Sequence, residues 1–284
     1  MPYISEWNPS DPVQVLVFGQ YKVGKTWGAM TFPNPVVMDF DRGIATARNP
    51  SFVSKYGVRK IFYETFAERS QAKMGVHLIH NAFDDACRFF DEWMKPKGKW
   101  KDRVSKQSYE VGRDMFETWI IDSGTTLSVF AQTKAVIVMG AMKLSQTLKH
   151  GQDHGVIIPK IQDYGSERSL IEQFIRMVKD SGKNVVLICH EKQSVDQAGV
   201  VKEIVPLLTG KSSTDVPIMF DEVYNMRIKK KGTEMFRYLQ TMPDSVRKVG
   251  SRYGIPNETE WNWEALQKEI CNAHEKQKNL GETK

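Results

Sequence analysis

The sequence predicts an α/β fold in which a mostly parallel central sheet is flanked by helices, with β-hairpins toward the C-terminal end. Three observations predict it. Val15-Leu16-Val17-Phe18 is an apolar run that ends in G-x-x-x-x-G-K-T, from Gly19 to Thr26. Three later runs, Val36-Val37-Met38, Trp119-Ile120-Ile121 and Val185-Val186-Leu187-Ile188-Cys189, also end in acidic or polar residues. Such runs are strands buried on both faces, and ligands sit beyond their C-terminal ends. After Glu191 the rhythm changes to short β-rich stretches separated by glycine turns, the mark of hairpins.

The stretch from Gly19 to Thr26 has the spacing of a phosphate-binding loop. Two glycines let the backbone curl until successive N–H groups face one anion, while Lys25 reaches the β- and γ-phosphates and Thr26 holds Mg²⁺. Gln20, Tyr21, Lys22 and Val23 form the arc between Gly19 and Gly24, and Trp27 opens the following helix, so residues 19–27 are the expected nucleotide cradle. That helix is short, because Phe32-Pro33-Asn34-Pro35 follows Thr31 closely and compresses the first crossover. Asp39 and Asp41 then close a strand and point toward the nucleotide; the alternative is a pair of turn-forming acids before Gly43.

Residues 58–64 read as a strand, followed by a polar connection and an amphipathic helix over 82–94. Residues 95–106 carry six cations and one acid, and Pro96 and Gly98 make the segment a loop. Lys97, Lys99, Trp100, Lys101 and Arg103 are candidate contacts to a single nucleic-acid strand, through phosphate neutralisation and stacking on Trp100. A solvated loop without a specific partner is the other reading.

Phe116-Glu117-Thr118-Trp119-Ile120-Ile121-Asp122 is a strand whose terminal carboxylate, after a phosphate loop, completes a Mg²⁺ shell. Thr125 or Thr126 caps the next helix. Residues 140–165 form a polar surface excursion with Lys143, Lys149 and Lys160; His150 and His154 have metal-like spacing there, but Gly151 and Gly155 argue against a helix presenting both rings. An amphipathic helix over 167–183 is stopped by Gly182. The strand after it ends at His190 and Glu191, so His190 arrives where a γ-phosphate sensor sits, or merely satisfies a strand end. Residues 200–205 form one hairpin arm, and residues 223–228 pair with 236–241 across Lys231-Gly232. Arg247, Lys248 and Arg252 fall in a glycine-bounded loop, and a helix with Trp263, Leu266 and Ile270 inward closes the ordered part.

With 284 residues the chain suits one large domain, divided here into a core over 1–256 and a C-terminal helix and tail over 257–284. Lys and Arg number 40 against 34 Asp and Glu, a net +6 that suits a polyanionic partner. Cys87, Cys189 and Cys271 lie far apart without C-x-x-C spacing, which points away from a disulfide framework or zinc site and toward reduced thiols. No apolar run approaches the roughly 18 residues of a membrane span, so no membrane partner and a cytoplasmic protein are expected.

Taken together, the phosphate loop, V-V-M-D-F-D-R-G, T-W-I-I-D-S and V-V-L-I-C-H resemble the RecA-like P-loop ATPase core. The stretches P-L-L-T-G-K, F-D-E-V-Y and S-R-Y-G-I-P are similar to the short phage-encoded RecA-like proteins associated with single-strand annealing and recombination. The resemblance spans about residues 13 to 256. It implies ATP and Mg²⁺ as cofactors, Asp41 as the carboxylate that activates water, Asp122 as the Mg²⁺-associated acid and His190 as the polar sensor, a position usually held by an amide. It further implies single-stranded DNA as partner, a homo-oligomeric ring or filament with ATP at subunit interfaces, and the host cytoplasm; a single-strand-binding protein is a further partner it admits. Arg252 or Lys248 would then act in trans on a neighbour's γ-phosphate. The segments after the Asp122 and His190 strands would line the filament axis, offering Lys143, Lys149, Lys160 and Lys192 to DNA. The competing readings are a nucleotide kinase or other small-molecule phosphotransferase, which calls for an Arg-rich lid, and a nucleotide-gated assembly protein with negligible hydrolysis.

Overall fold

A computed structural model describes residues 11–67, 69–72, 76–79, 81–102, 105–140, 161–232 and 234–281. Its strands are β1 (Gln14–Gly19), β2 (Pro35–Asp39), β3 (Phe62–Thr65), β4 (Arg69–Ala72), β5 (Val76–Ile79), β6 (Gly98–Lys101), β7 (Ser108–Val111), β8 (Thr118–Asp122), β9 (Asn184–Val195), β10 (Val201–Pro206), β11 (Glu222–Lys231), β12 (Glu234–Gln240), β13 (Gly250–Ser251) and β14 (Thr259–Glu260). The α-helices are α1 (Lys25–Ala29), α2 (Pro50–Tyr56), α3 (Ala82–Met94), α4 (Gly124–Gly140), α5 (Ile161–Lys179), α6 (Ser212–Ile218) and α7 (Trp263–Gly281).

The main sheet runs β14-β12-β11-β1-β9-β8-β2-β3, with β10 added to β9 and β13 to β11. From β11 to β3 every neighbouring pair is parallel. The chain leaves β1 for strands on one side and returns on the other at β11, so β1 ends at a topological switch, where α/β sheets leave a crevice for a ligand. β9 separates β1 from β8, which sets the phosphate-loop strand and the Asp122 strand one strand apart.

The alternating pleat divides each central strand between two cores. Leu16, Phe18, Trp119, Ile121, Val185 and Leu187 face α3, α4 and α5. Val15, Val17, Ile120, Val186 and Ile188 face the other way, with Ala29 of α1 and Leu266 and Ile270 of α7. Both faces are therefore covered, which explains why these strands read as continuous apolar runs. The C-terminal helix belongs to this second layer, tied in by the Trp261 indole N–H donating to the Lys25 carbonyl oxygen at 2.7 Å.

Several expectations need correction. Within the expected loop over 95–106, residues 98–101 are strand: β6 pairs antiparallel with β7, Trp100 opposite Tyr109 and Lys99 opposite Glu110. The alternation of Lys99, Trp100 and Lys101 satisfies a half-buried strand, and that pattern outweighs the turn signals of Pro96 and Gly98. The polar connection before α3 contains the β4–β5 hairpin. The strand expected to end at Glu191 continues to Val195 and pairs antiparallel with β10. Residues 161–165, expected in a surface excursion, open α5, while 141–160 lie outside the described residues. The strand expected over 58–64 begins only at Phe62. α2 is an additional element with local signals, Asn49 accepting the Ser51 N–H at 2.9 Å as N-cap and Pro50 at the first position. The β11–β12 hairpin has the expected partners, Asn225 opposite Gln240 and Lys231 opposite Glu234.

Candidate active site

β1 brings Gly19 level with His190 on β9, and Phe18 level with Asn225 on β11. A Cβ on Gly19 would lie 2.7 Å from the Met226 carbonyl oxygen, so glycine is what lets β11 approach the start of the loop. Gly24 closes the loop at φ 99°, in the left-handed region that glycine tolerates, and caps α1. Lys25 is buried, and its Nζ donates to the carbonyl oxygens of Gly19 at 2.9 Å and Gln20 at 2.6 Å. These bonds hold the ammonium in the throat of the loop. Burial lowers the Lys25 pKa, against the pull of Asp122, Glu191 and Asp41. Tyr21 stands exposed on the outer arc.

Thr26 Oγ1 donates to Asp122 Oδ2 at 2.7 Å, which joins the first turn of α1 to the end of β8. A hydroxyl beside a carboxylate is a hard oxygen donor set of the kind Mg²⁺ uses together with water and phosphate oxygens, so these two residues fit the ion. Among the described residues no group of three or more His, Cys, Asp or Glu is arranged to hold a metal. Burial, reinforced by Asp41 and Asp39 and opposed by the Thr26 hydrogen bond, pushes Asp122 up to about 6.

That shift has a sign. A carboxyl raised in the folded state stabilises the fold only where it is protonated, below the unfolded value of 3.8, and the contribution is lost as pH rises to about 6. Above pH 6 the buried charge costs the nucleotide-free protein on the order of 3 kcal/mol. Asp122→Asn is therefore expected to raise the melting temperature of nucleotide-free protein at pH 8 by a few degrees, with the gain shrinking toward pH 4. Thermal melts at both pH values check it, and an equal or lower melting temperature at pH 8 contradicts it.

The acids of D-F-D separate in role. Asp39 is fully buried and accepts the Gly43 N–H at 2.8 Å, so it fixes the turn after β2 instead of facing the nucleotide. Burial raises its pKa. Asp41 lies beyond the strand, where it accepts from Ser123 Oγ at 2.6 Å and from Thr126 Oγ1, and stands 3.3 Å from His190 Nε2. Burial alone would raise Asp41, but hydrogen bonds from His190, Ser123 and Thr126 hold it below its usual value. His190 is anchored in turn by its backbone N–H, which donates to Thr125 Oγ1 at 3.0 Å. The ends of β2 and β8 and the middle of β9 thus meet at one carboxylate. Ser123, whose Oγ accepts the Thr126 N–H at 3.3 Å, takes the capping place expected of Thr125 or Thr126.

On the other flank of β1, Asn225 Nδ2 donates to Glu191 Oε2 at 3.2 Å and to the Phe18 carbonyl at 3.3 Å, while Arg247 Nε donates to Asn225 Oδ1 at 3.1 Å. Arg237 of β12 reaches over the loop, its guanidinium 5.6 Å from the Trp27 ring centroid. Ser123, Thr126, Glu191, Asn225 and Arg237 are site residues that the sequence reading missed. For Ser123 and Thr126 a signal existed, since D-S-G-T-T places hydroxyls directly after the strand-end acid.

The remaining candidates are dispersed. Lys97, Lys99 and Lys101 are exposed along β6 and its approach, on alternate positions and hence on one face. Trp100 points the other way, its indole N–H donating to Glu64 Oε2 at 2.5 Å and its ring packed edge-on against Phe89. Lys192 is exposed on β9. Arg252 pairs with Asp221 and Lys248 with Glu203. Asp221 precedes β11, whose start is level with Val15, so Arg252 sits at the end of the parallel strands opposite its own phosphate loop. Arg103, Lys143, Lys149, Lys160, His150 and His154 lie outside the described residues. No helix among the described residues is long and apolar enough to cross a membrane.

A family model described as an AAA domain matches residues 11–265. Among solved structures, a KaiC-like protein from the hyperthermophilic archaeon Pyrococcus horikoshii OT3 is similar at 13% identity, covering 81% of this chain and 78% of that one, with a TM-score of 0.39. No curated protein matches the sequence.

Proposed function

Because the chain belongs to the AAA-domain family of P-loop ATPases, we propose that it couples ATP hydrolysis to single-stranded DNA, as a phage-type annealing or recombination protein working as a homo-oligomer. The observation that carries the coupling is Asp41 held by His190, on a strand that runs on without a break into the β9–β10 hairpin. A ligand on that hairpin acts on β9, and β9 carries the donor that orients the carboxylate.

The chemistry follows from the site. The loop N–H groups and Lys25 hold the β- and γ-phosphates. Thr26 and Asp122 would hold Mg²⁺, which neutralises charge on the phosphates when bound. Asp41, kept ionised by its three donors, orients a water toward the γ-phosphorus. A carboxylate below its usual pKa is a weak base, but the transition state is loose and asks first for position and only later for proton removal.

DNA binding is then expected to be driven by phosphate neutralisation. In fluorescence anisotropy with an oligonucleotide, log affinity should fall with log salt at about 0.7 per phosphate contacted. Lys192→Ala or Lys99→Ala should each flatten that slope. A salt-independent affinity contradicts the proposal.

A further inference from the structure

A cavity of about 770 Å³ lies on the β2–β3 side of the sheet and begins at the residue after Asp41. Arg42, Arg48 and Arg59 line it, against walls that include Ile44, Val53 and Tyr63. A second cavity of about 430 Å³ shares Ile61, Tyr63 and Thr65 with the first and runs on to Trp100 and Tyr109. Adjoining along β3, the two reach from the turn behind the active site to the β6–β7 hairpin.

In the first cavity three arginines stand against one carboxylate, Asp39. Among the described residues the three arginines form no ion pair, and Arg59 Nη2 donates to the Phe32 carbonyl at 3.3 Å. Asp39 accepts the Gly43 and Ile44 N–H groups, while Glu64 and Asp102, which accept the Trp100 indole and Ser105 N–H, line the second cavity. Gathering unpaired guanidinium groups around one concavity costs repulsion that an anion offsets. The space is far larger than a free phosphate needs and falls in the range of ligand pockets. Tyr63 and Tyr109, 44% and 45% exposed, offer ring faces along its length.

We infer that this groove binds a short stretch of single-stranded nucleic acid, with phosphates on Arg42 and Arg48 and a base against Tyr63. Guanidinium forks match phosphate oxygens, and aromatic faces accept any base, so sequence-tolerant binding follows. The inference rests on the single-strand reading above and adds to the lysine surfaces a grip in a groove that starts beside the water-orienting carboxylate. Bound phosphate at Arg42 bears on the turn anchored by Asp39, and so on the position of Asp41.

The test is anisotropy of a fluorescent oligothymidylate with full-length protein, ATP and Mg²⁺ across a salt series. Wild type is compared with Arg42→Gln/Arg48→Gln, both exposed positions, and separately with Tyr63→Ala; thermal melts establish that each variant is folded. The double variant should lose about tenfold in affinity, with a slope shallower by about 0.7 per arginine. Tyr63→Ala should weaken binding with the slope unchanged. If wild type binds and the double variant matches it in affinity and slope, the groove assignment is overturned while the single-strand reading stands. If wild type binds no oligonucleotide at any salt, the single-strand reading itself fails. Binding of thymidine monophosphate with no binding of the oligonucleotide overturns the groove in favour of a small-molecule acceptor site.

Discussion

Lys25→Ala is expected to reduce ATP turnover by about 10³-fold or more, the scale of removing a cation that stabilises a transferring phosphoryl group. Lys25 is buried in the loop throat and bonded to the Gly19 and Gln20 carbonyl oxygens, so its ammonium is fixed where the phosphates must lie. Alanine removes the compensating charge and leaves those carbonyls without their charged donor. Lys25→Arg is not expected to restore activity, because a planar guanidinium does not fit a site shaped around a compact ammonium. Phosphate release at saturating ATP measures both. Normal turnover in Lys25→Ala removes the phosphate-loop assignment.

Asp41→Asn is expected to slow the chemical step by roughly 10² to 10⁴ while leaving ATP affinity within a few fold. The amide keeps the size of the carboxylate; its oxygen still accepts from one of the Ser123 and Thr126 hydroxyls, and its NH2 can donate to the other, so the turn after β2 stays in place. What it loses is the charge that orients water and takes its proton. A fluorescent ATP analogue gives affinity, and single-turnover hydrolysis gives the chemical rate. A parallel loss of both makes Asp41 a structural residue of the pocket.

The parts of this site that were legible in the sequence are those whose geometry is set within a few residues. Gly19, Gly24, Lys25 and Thr26 share one loop and one helical turn, so spacing alone places them. Asp122 was legible because a buried strand ends there and a phosphate loop precedes it. The split between Asp39 and Asp41 was not. Two residues apart, they share a face only while the strand continues, and β2 ends at Asp39. The convergence of Asp41, Ser123, Thr126 and His190 joins elements separated by up to 149 positions and depends on the strand order, which periodicity does not encode.

The fold divides in the same way. The central strands declare themselves by being apolar on both faces. The β6–β7 hairpin was hidden because its lysines obey the period of a strand while Pro96 and Gly98 signal a loop. Trp100 then looked like a surface aromatic, although its indole N–H finds Glu64 and its ring finds Phe89. The reach of β9 to Val195 was hidden for a related reason: beyond His190 the strand is polar, and only its pairing with β10 keeps it extended.

ATP hydrolysis with and without a single-stranded oligonucleotide, followed as phosphate release in wild type and in Asp41→Asn, tests the central claim most directly. The account predicts release to water that the oligonucleotide accelerates in wild type, and near-background release in Asp41→Asn under both conditions. Turnover unaffected by any oligonucleotide, or phosphoryl transfer to a nucleoside monophosphate in preference to water, contradicts it.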